Sequence, residues 1–82
     1  MPVHNRDVAS VFETIADLLD IKGGNTFRIR AYRNAARTVD SLTREVSDML
    51  EEGEDLSELS DIGEDLAGKI ETIVETGAHP LL

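Results

Sequence analysis

The chain reads as one all-α domain, a compact four-helix unit. Three observations predict this. Apolar residues recur at helical spacing through four segments, and turn-forming glycines fall between them. At 82 residues the chain has room for one modest core. Apolar residues make up 40% and charged residues 30%, a globular balance and not a disordered one.

In the first helix, Val8, Val11, Phe12, Ile15, Ala16, Leu18 and Leu19 follow a helical period. Asn5 is placed as its N-cap, with Asp7 in the first turn, where the helix dipole favours an acid. The helix is expected over about Arg6–Asp20, stopped by Gly23 and Gly24.

Asn25 or Thr26 caps the second helix. On a wheel of about 100° per residue, Phe27, Ala31, Tyr32, Ala35, Ala36, Val39 and Leu42 sweep one broad apolar arc. Arg30, Arg33 and Arg37 gather on the other side. Such a stripe can face phosphates, and it can equally be the solvated face of an amphipathic helix. Arg28 falls inside the apolar arc. It either snorkels along its stem, lies in an unwound first turn, or meets a buried anion. Tyr32, four residues on, can share a ligand with it or act as an ordinary half-buried core residue.

Thr43 is expected to cap a short third helix through Val46, Met49 and Leu50, closed by Gly53. The acidic run Glu51, Glu52, Glu54, Asp55, Glu58 lacks the order of a calcium loop and reads as a solvated surface. Asp55–Leu59 forms one helical turn, and Ser60, Asp61, Ile62 and Gly63 form a tight turn. A final helix follows over Glu64–Thr76, with Leu66, Ala67, Ile70, Ile73 and Val74 inward. Gly77 ends it and Pro80 prevents its continuation. Helix, four-residue turn, helix, with Ile62 between the two, is the layout of a helix-hairpin-helix. In that motif backbone N–H groups approach a phosphate at a helix N-terminus.

Charge is unevenly spread. The chain holds 17 acidic residues against 8 basic. Residues 1–44 carry a net +2 and residues 45–82 a net −11, together the −9 of the whole. Bulk charge opposes nonspecific nucleic-acid affinity, while the arginines of the second helix form a local cationic segment. The low-lysine, high-acid balance suits a salt-rich cytosol, where screening is short-ranged. Cysteine is absent, which removes disulfides and thiol chemistry. His4 and His79 lie near opposite ends without zinc spacing, and no metal or organic cofactor is expected from the residues. No apolar run is long enough for a membrane span and no signal-peptide pattern opens the chain, so a cytoplasmic monomer is expected.

Two segments, Phe27–Ala36 (FRIRAYRNAA) and Leu59–Gly77 (LSDIGEDLAGKIETIVETG), together resemble the N-terminal domain of X-family, beta-like DNA polymerases. The opening NRDVASVFETIADLLDIKGGN is similar to the bacterial and archaeal branch. The likeness covers residues 5–78. It implies a SAM-like helix-hairpin-helix domain that binds gapped DNA at the downstream 5′-phosphate in base excision repair. Catalytic polymerase domains would accompany it in a longer protein; these 82 residues cannot hold the palm and its carboxylates. Arg28 and Tyr32 match the family's phosphate-pocket residues. Lys69 matches the lysine whose Schiff base gives 5′-deoxyribose-phosphate lyase activity. The resemblance also implies a monovalent cation at the hairpin carbonyls of Ser60 and Ile62.

The hairpin departs from the family's L-P-G-[IV]-G. It reads Leu59-Ser60-Asp61-Ile62-Gly63, with Asp61 at the first glycine. Glu64 and Asp65 occupy the following helix start, where basic residues assist in animal members. Asp tolerates a left-handed turn, so the backbone can survive the change. The acids shift the expected anion contact toward Arg28, Tyr32 and the stripe. Asp65 also stands four residues before Lys69, ideal for a surface ion pair that keeps the amine protonated. Three functions follow: a lyase acting through Lys69, a DNA-end-binding module without catalysis, and a protein-interaction domain with no nucleic-acid role.

Overall fold

The computed structural model describes residues 3–77. It contains α1 (Asn5–Ile21), α2 (Thr26–Ser41), α3 (Val46–Glu51), a 3₁₀ turn (Leu56–Glu58) and α4 (Glu64–Thr76). The all-α, four-helix expectation holds, and no strand occurs among the described residues. His79 and Pro80 lie outside them. No helix among the described residues is long and apolar enough to cross a membrane.

The helix ends follow local chemistry. After α1, Gly23 adopts φ 71° and its N–H bonds to the Asp20 carbonyl, while Gly24 N–H bonds to Leu19 O at 2.7 Å. This pair of bonds is the Schellman closure, which needs a left-handed residue. The same closure recurs after α3. There Gly53, at φ 78°, bonds to Leu50 O, and Glu54 N–H bonds to Met49 O. Asn25 caps α2 as expected, its side-chain oxygen accepting from Phe27 and Arg28 N–H.

Two other caps differ from expectation. His4, not Asn5, is the α1 N-cap; Asp7 Oδ2 accepts from His4 N–H at 2.9 Å. Asn5 is the first helical residue and is buried. Its Oδ1 accepts from Val46 N–H at 2.7 Å and its Nδ2 donates to Arg44 O at 2.7 Å. Glu45, not Thr43, is the N-cap of α3, and its carboxylate accepts from Asn5 N–H at 3.1 Å. The two helix starts thus cap each other. Asn5 supplies the oxygen for the first N–H of α3, and Glu45 supplies one for the first N–H of α1. These donors would otherwise be orphans.

α1 is the shared support. α2 packs along it, and α4 packs on α1, α3 and the 3₁₀ turn. Phe12, Val8, Val39, Val46 and Ile70 are fully enclosed at the centre. Removing one such large side chain from water stabilises by about 1.5–3 kcal/mol. On α4 the expected inward residues Leu66, Ile70 and Ile73 are buried, and Ala67 and Val74 pack beside them.

The apolar face of α2 is rotated from expectation. Tyr32, Ala35, Ala36 and Val39 are buried and Ile29 packs against them, whereas Ala31 is exposed and Phe27 is 79% exposed. Leu18 and Ile21 are also exposed, around the same α1–α2 turn. The physical reason is position: Phe27 begins α2 beyond the last buried residue of α1, Ala16.

Arg44 bridges Glu52 and Glu54 just before α3. Its hydrogen bond with Glu54 pulls the Glu54 carboxyl below the usual range and raises the guanidinium above its own. Asp55 is also lowered, by the Ser57 hydroxyl and N–H it accepts from.

Replacing Asn5 by Ala strands the Val46 N–H and the Arg44 carbonyl. The expected cost is about 2 kcal/mol, read as a fall of about 10 °C in Tm. A depressed carboxyl stabilises the fold above its unfolded pKa and loses that contribution as pH falls through the folded value. A double-mutant cycle with Arg44→Gln and Glu54→Gln should therefore show favourable coupling at neutral pH that is lost as pH falls through the lowered Glu54 value.

Candidate functional site

Tyr32 is set by the core. Its ring meets Phe12 edge-on, with centroids 5.6 Å apart and planes at 70°. Only 3% of Tyr32 is exposed, and no buried side-chain nitrogen or oxygen among the described residues lacks a hydrogen-bond partner. One turn earlier, the Arg28 guanidinium stands 5.9 Å from the Tyr32 ring centroid. This distance is the outer limit of a cation–π contact, worth about 0.5–1 kcal/mol at an exposed site. It orients the guanidinium without consuming its five donors. Arg28 is exposed and pairs with no carboxylate among the described residues. Of the alternatives for Arg28, the structure selects a solvent-facing head laid over an aromatic ring; the helix is regular there and holds no buried anion.

The stripe is less uniform than its spacing suggests. Arg33 Nη1 bonds to Asp17 Oδ1 at 3.1 Å, and Nη2 lies 3.8 Å from Asp20 Oδ2. Arg33 therefore ties α2 to α1. Arg30 and Arg37 are exposed and have no ion-pair partner among the described residues. With Arg33 they line a shallow groove on α2.

The hairpin forms as a tight turn. Ile62 N–H bonds to Leu59 O at 3.1 Å and the Ile62 side chain is 2% exposed. Asp61 takes φ 63°, the left-handed conformation that glycine adopts more readily. Its carboxylate accepts from the Thr38 hydroxyl of α2 at 3.4 Å. Gly63 is the N-cap of α4 and offers no side chain, while Glu64 and Asp65 stand in the first turn. The hairpin surface thus carries three carboxylates beside the N–H groups of α4. Ser60 and Ile62 carbonyls accept no turn or loop backbone bond among the described residues.

Lys69 sits on α4, its side chain 39% exposed, with Nζ 3.5 Å from Asp65 Oδ1. Arg28 and Tyr32 are in contact with each other, but neither is among the hydrogen-bond or ion-pair partners of Lys69. The α2 and α4 helices do not pack directly along their lengths; α1 lies at the contact of both. Sequence reasoning passed over Phe27, whose ring is open to solvent next to Arg28. The signal available was its place at the very start of α2, before the wheel argument takes hold. No cluster of potential metal ligands occurs among the described residues.

Comparison with known proteins agrees with the hairpin geometry. The family model described as helix-hairpin-helix domain matches residues 3–79. The "DNA polymerase/3'-5' exonuclease PolX" of Bacillus subtilis (strain 168) is 32% identical over 80 residues, covering 98% of this chain and 13% of that protein. The chain spans only that small share of its relative's length. No solved structure matches. With Asp61 left-handed, Ile62 buried and α4 starting at Glu64, the fold and the match over residues 3–79 coincide: the chain belongs to the helix-hairpin-helix domain family.

Proposed function

We propose that this domain binds DNA and grips the downstream 5′-phosphate of a gap, as part of an X-family DNA polymerase acting in repair. The observation that carries the reading is the Arg28 guanidinium, held over Tyr32 and free of any carboxylate among the described residues of an acidic chain. A terminal phosphate placed there would take charge-assisted bonds from Arg28 and one from the Tyr32 hydroxyl. The open ring of Phe27 offers a base a stacking surface beside them, sequence-tolerant because every base has a π-face. The printed name of the Bacillus subtilis relative supports the polymerase context. A monovalent cation at the Ser60 and Ile62 carbonyls would offset the hairpin carboxylates and let a phosphate approach α4.

A second reading adds lyase chemistry through Lys69, whose partly exposed side chain can reach a substrate once its loose contact with Asp65 opens. An exposed ion pair of this kind contributes well under 1 kcal/mol, and Asp65 is itself 80% exposed. In this reading the Lys69 amine adds to the C1′ aldehyde of a 5′-deoxyribose phosphate and loses water to give an iminium. Loss of the C2′ proton to a base then expels the 3′ phosphate, and water releases the lysine.

Titration of gapped DNA with and without a 5′-phosphate tests the first reading. At low salt the phosphate should raise affinity about tenfold or more, as expected for charged hydrogen bonds. Arg28→Ala should erase that preference. Tyr32→Phe should reduce it while leaving stability within about 0.5 kcal/mol, since the ring packing is kept. Equal affinity for both DNAs would exclude the pocket. For Lys69, borohydride treatment on a 5′-deoxyribose-phosphate substrate should trap a covalent adduct that Lys69→Ala abolishes. An adduct undiminished in the variant would remove Lys69 as the nucleophile.

A further inference from the structure

The free arginines of α2 do not share one surface. At about 100° per residue, Arg30 and Arg37 stand about 160–180° around the helix from Arg28. Arg28 leans over Tyr32, on the side of the core. Arg30 and Arg37 look outward, away from buried Tyr32, Ala35, Ala36 and Val39. A separate open groove occupies that outer side, and Ile29, Arg33, Asn34 and Thr26 complete its lining. Arg33 is a fixed wall there, because Asp17 and Asp20 of α1 engage it. Those two acids meet the groove only through Arg33, and Asp40 follows Arg37 three residues on along α2. None of the three pairs with Arg30 or Arg37.

The spacing identifies the class of ligand. Seven residues separate Arg30 from Arg37, a rise of about 10.5 Å along the helix. Phosphates repeat regularly along one DNA strand, so two arginines set this far apart can meet different phosphates of the same strand. A single small anion uses one of them; a regular polyanion uses both. The Asn34 amide and Thr26 hydroxyl add neutral donors of the kind that commonly contact phosphate oxygens. The groove is shallow, so it suits a backbone and not the edge of a base.

We propose that the outer groove of α2 is a second nucleic-acid site, taking the sugar-phosphate backbone of a duplex segment away from the 5′ end. It deepens the DNA-binding reading but rests on different residues from the Arg28 pocket. α2 then lies between two DNA segments, the terminal phosphate on its inner side and a continuous backbone on its outer side. The outer contact positions the domain without reading sequence.

The test measures binding of a blunt duplex lacking any 5′-phosphate across a salt series, in the wild type and in Arg30→Gln/Arg37→Gln. Each lost phosphate contact lowers the log–log salt slope by about 0.9. The double variant should therefore lose about 1.8 in slope, so its affinity falls about twelvefold less than the wild type's between 50 and 200 mM salt. Its preference for 5′-phosphorylated gapped DNA should remain intact. An unchanged melting temperature shows that the fold is kept, and the charge-conserving Arg30→Lys/Arg37→Lys should retain the wild-type slope. Equal slopes in wild type and the glutamine variant would overturn the proposal. So would competition by polyglutamate as effective as by duplex of equal charge, since the groove would then accept any polyanion. A wild type indifferent to the 5′-phosphate, combined with the slope loss, would leave this groove standing and remove the Arg28 pocket.

Discussion

The exchange between Asn5 and Glu45 joins the two halves of the domain. α1 and α2 form one antiparallel unit, and α3, the 3₁₀ turn and α4 form another. Where the halves meet, each helix start lends the other an acceptor: Asn5 Oδ1 to Val46 N–H, and Glu45 Oε1 to Asn5 N–H. Both helix dipoles present their positive ends at this junction, and the Glu45 and Asp7 carboxylates stand beside them. The apolar core then closes around Phe12 and Ile70. Because Phe12 also packs on Tyr32, the seating of α1 decides where the tyrosine ring lies, and with it the guanidinium of Arg28.

Much of this could be read along the chain. Helix stops at Gly23 and Gly53 and the Asn25 cap depend on neighbours within a few residues, so sequence reveals them. The closeness of Arg28 to Tyr32 and of Lys69 to Asp65 follows from four-residue spacing alone. Asn5 was misread because asparagine before a helix is a favoured cap. Its true partners, Arg44 and Val46, lie some forty positions away. Thr43 was misassigned for the same reason, since α3 receives its cap from α1. Phe27 was placed inside by a wheel that knows angle but not the length of the neighbouring helix. Arg33 looked free because its carboxylates are on α1. In each case the deciding contact is tertiary, and periodicity within one helix carries no record of it.

Electrostatics divide the surface as the fold divides the chain. α2 holds four arginines and one acid, whereas the hairpin and α4 present Asp61, Glu64, Asp65, Glu71 and Glu75 against Lys69. An acidic chain can still address an anion when its cations are gathered on one element and most are left unpaired. Arg33 and Arg44 show the alternative use of arginine. Each is engaged by two carboxylates and holds structure together.

The hairpin's shape and its charge are maintained by different atoms. The turn rests on the Leu59–Ile62 bond, on the buried Ile62 side chain and on the left-handed backbone at residue 61. The Glu64 and Asp65 side chains are exposed and take no part in that scaffold, and Asp61 adds only a long contact to Thr38. Glu64 and Asp65 can therefore be exchanged to change the charge of this edge while the turn keeps its shape, whereas residue 61 is confined to side chains that accept a left-handed backbone.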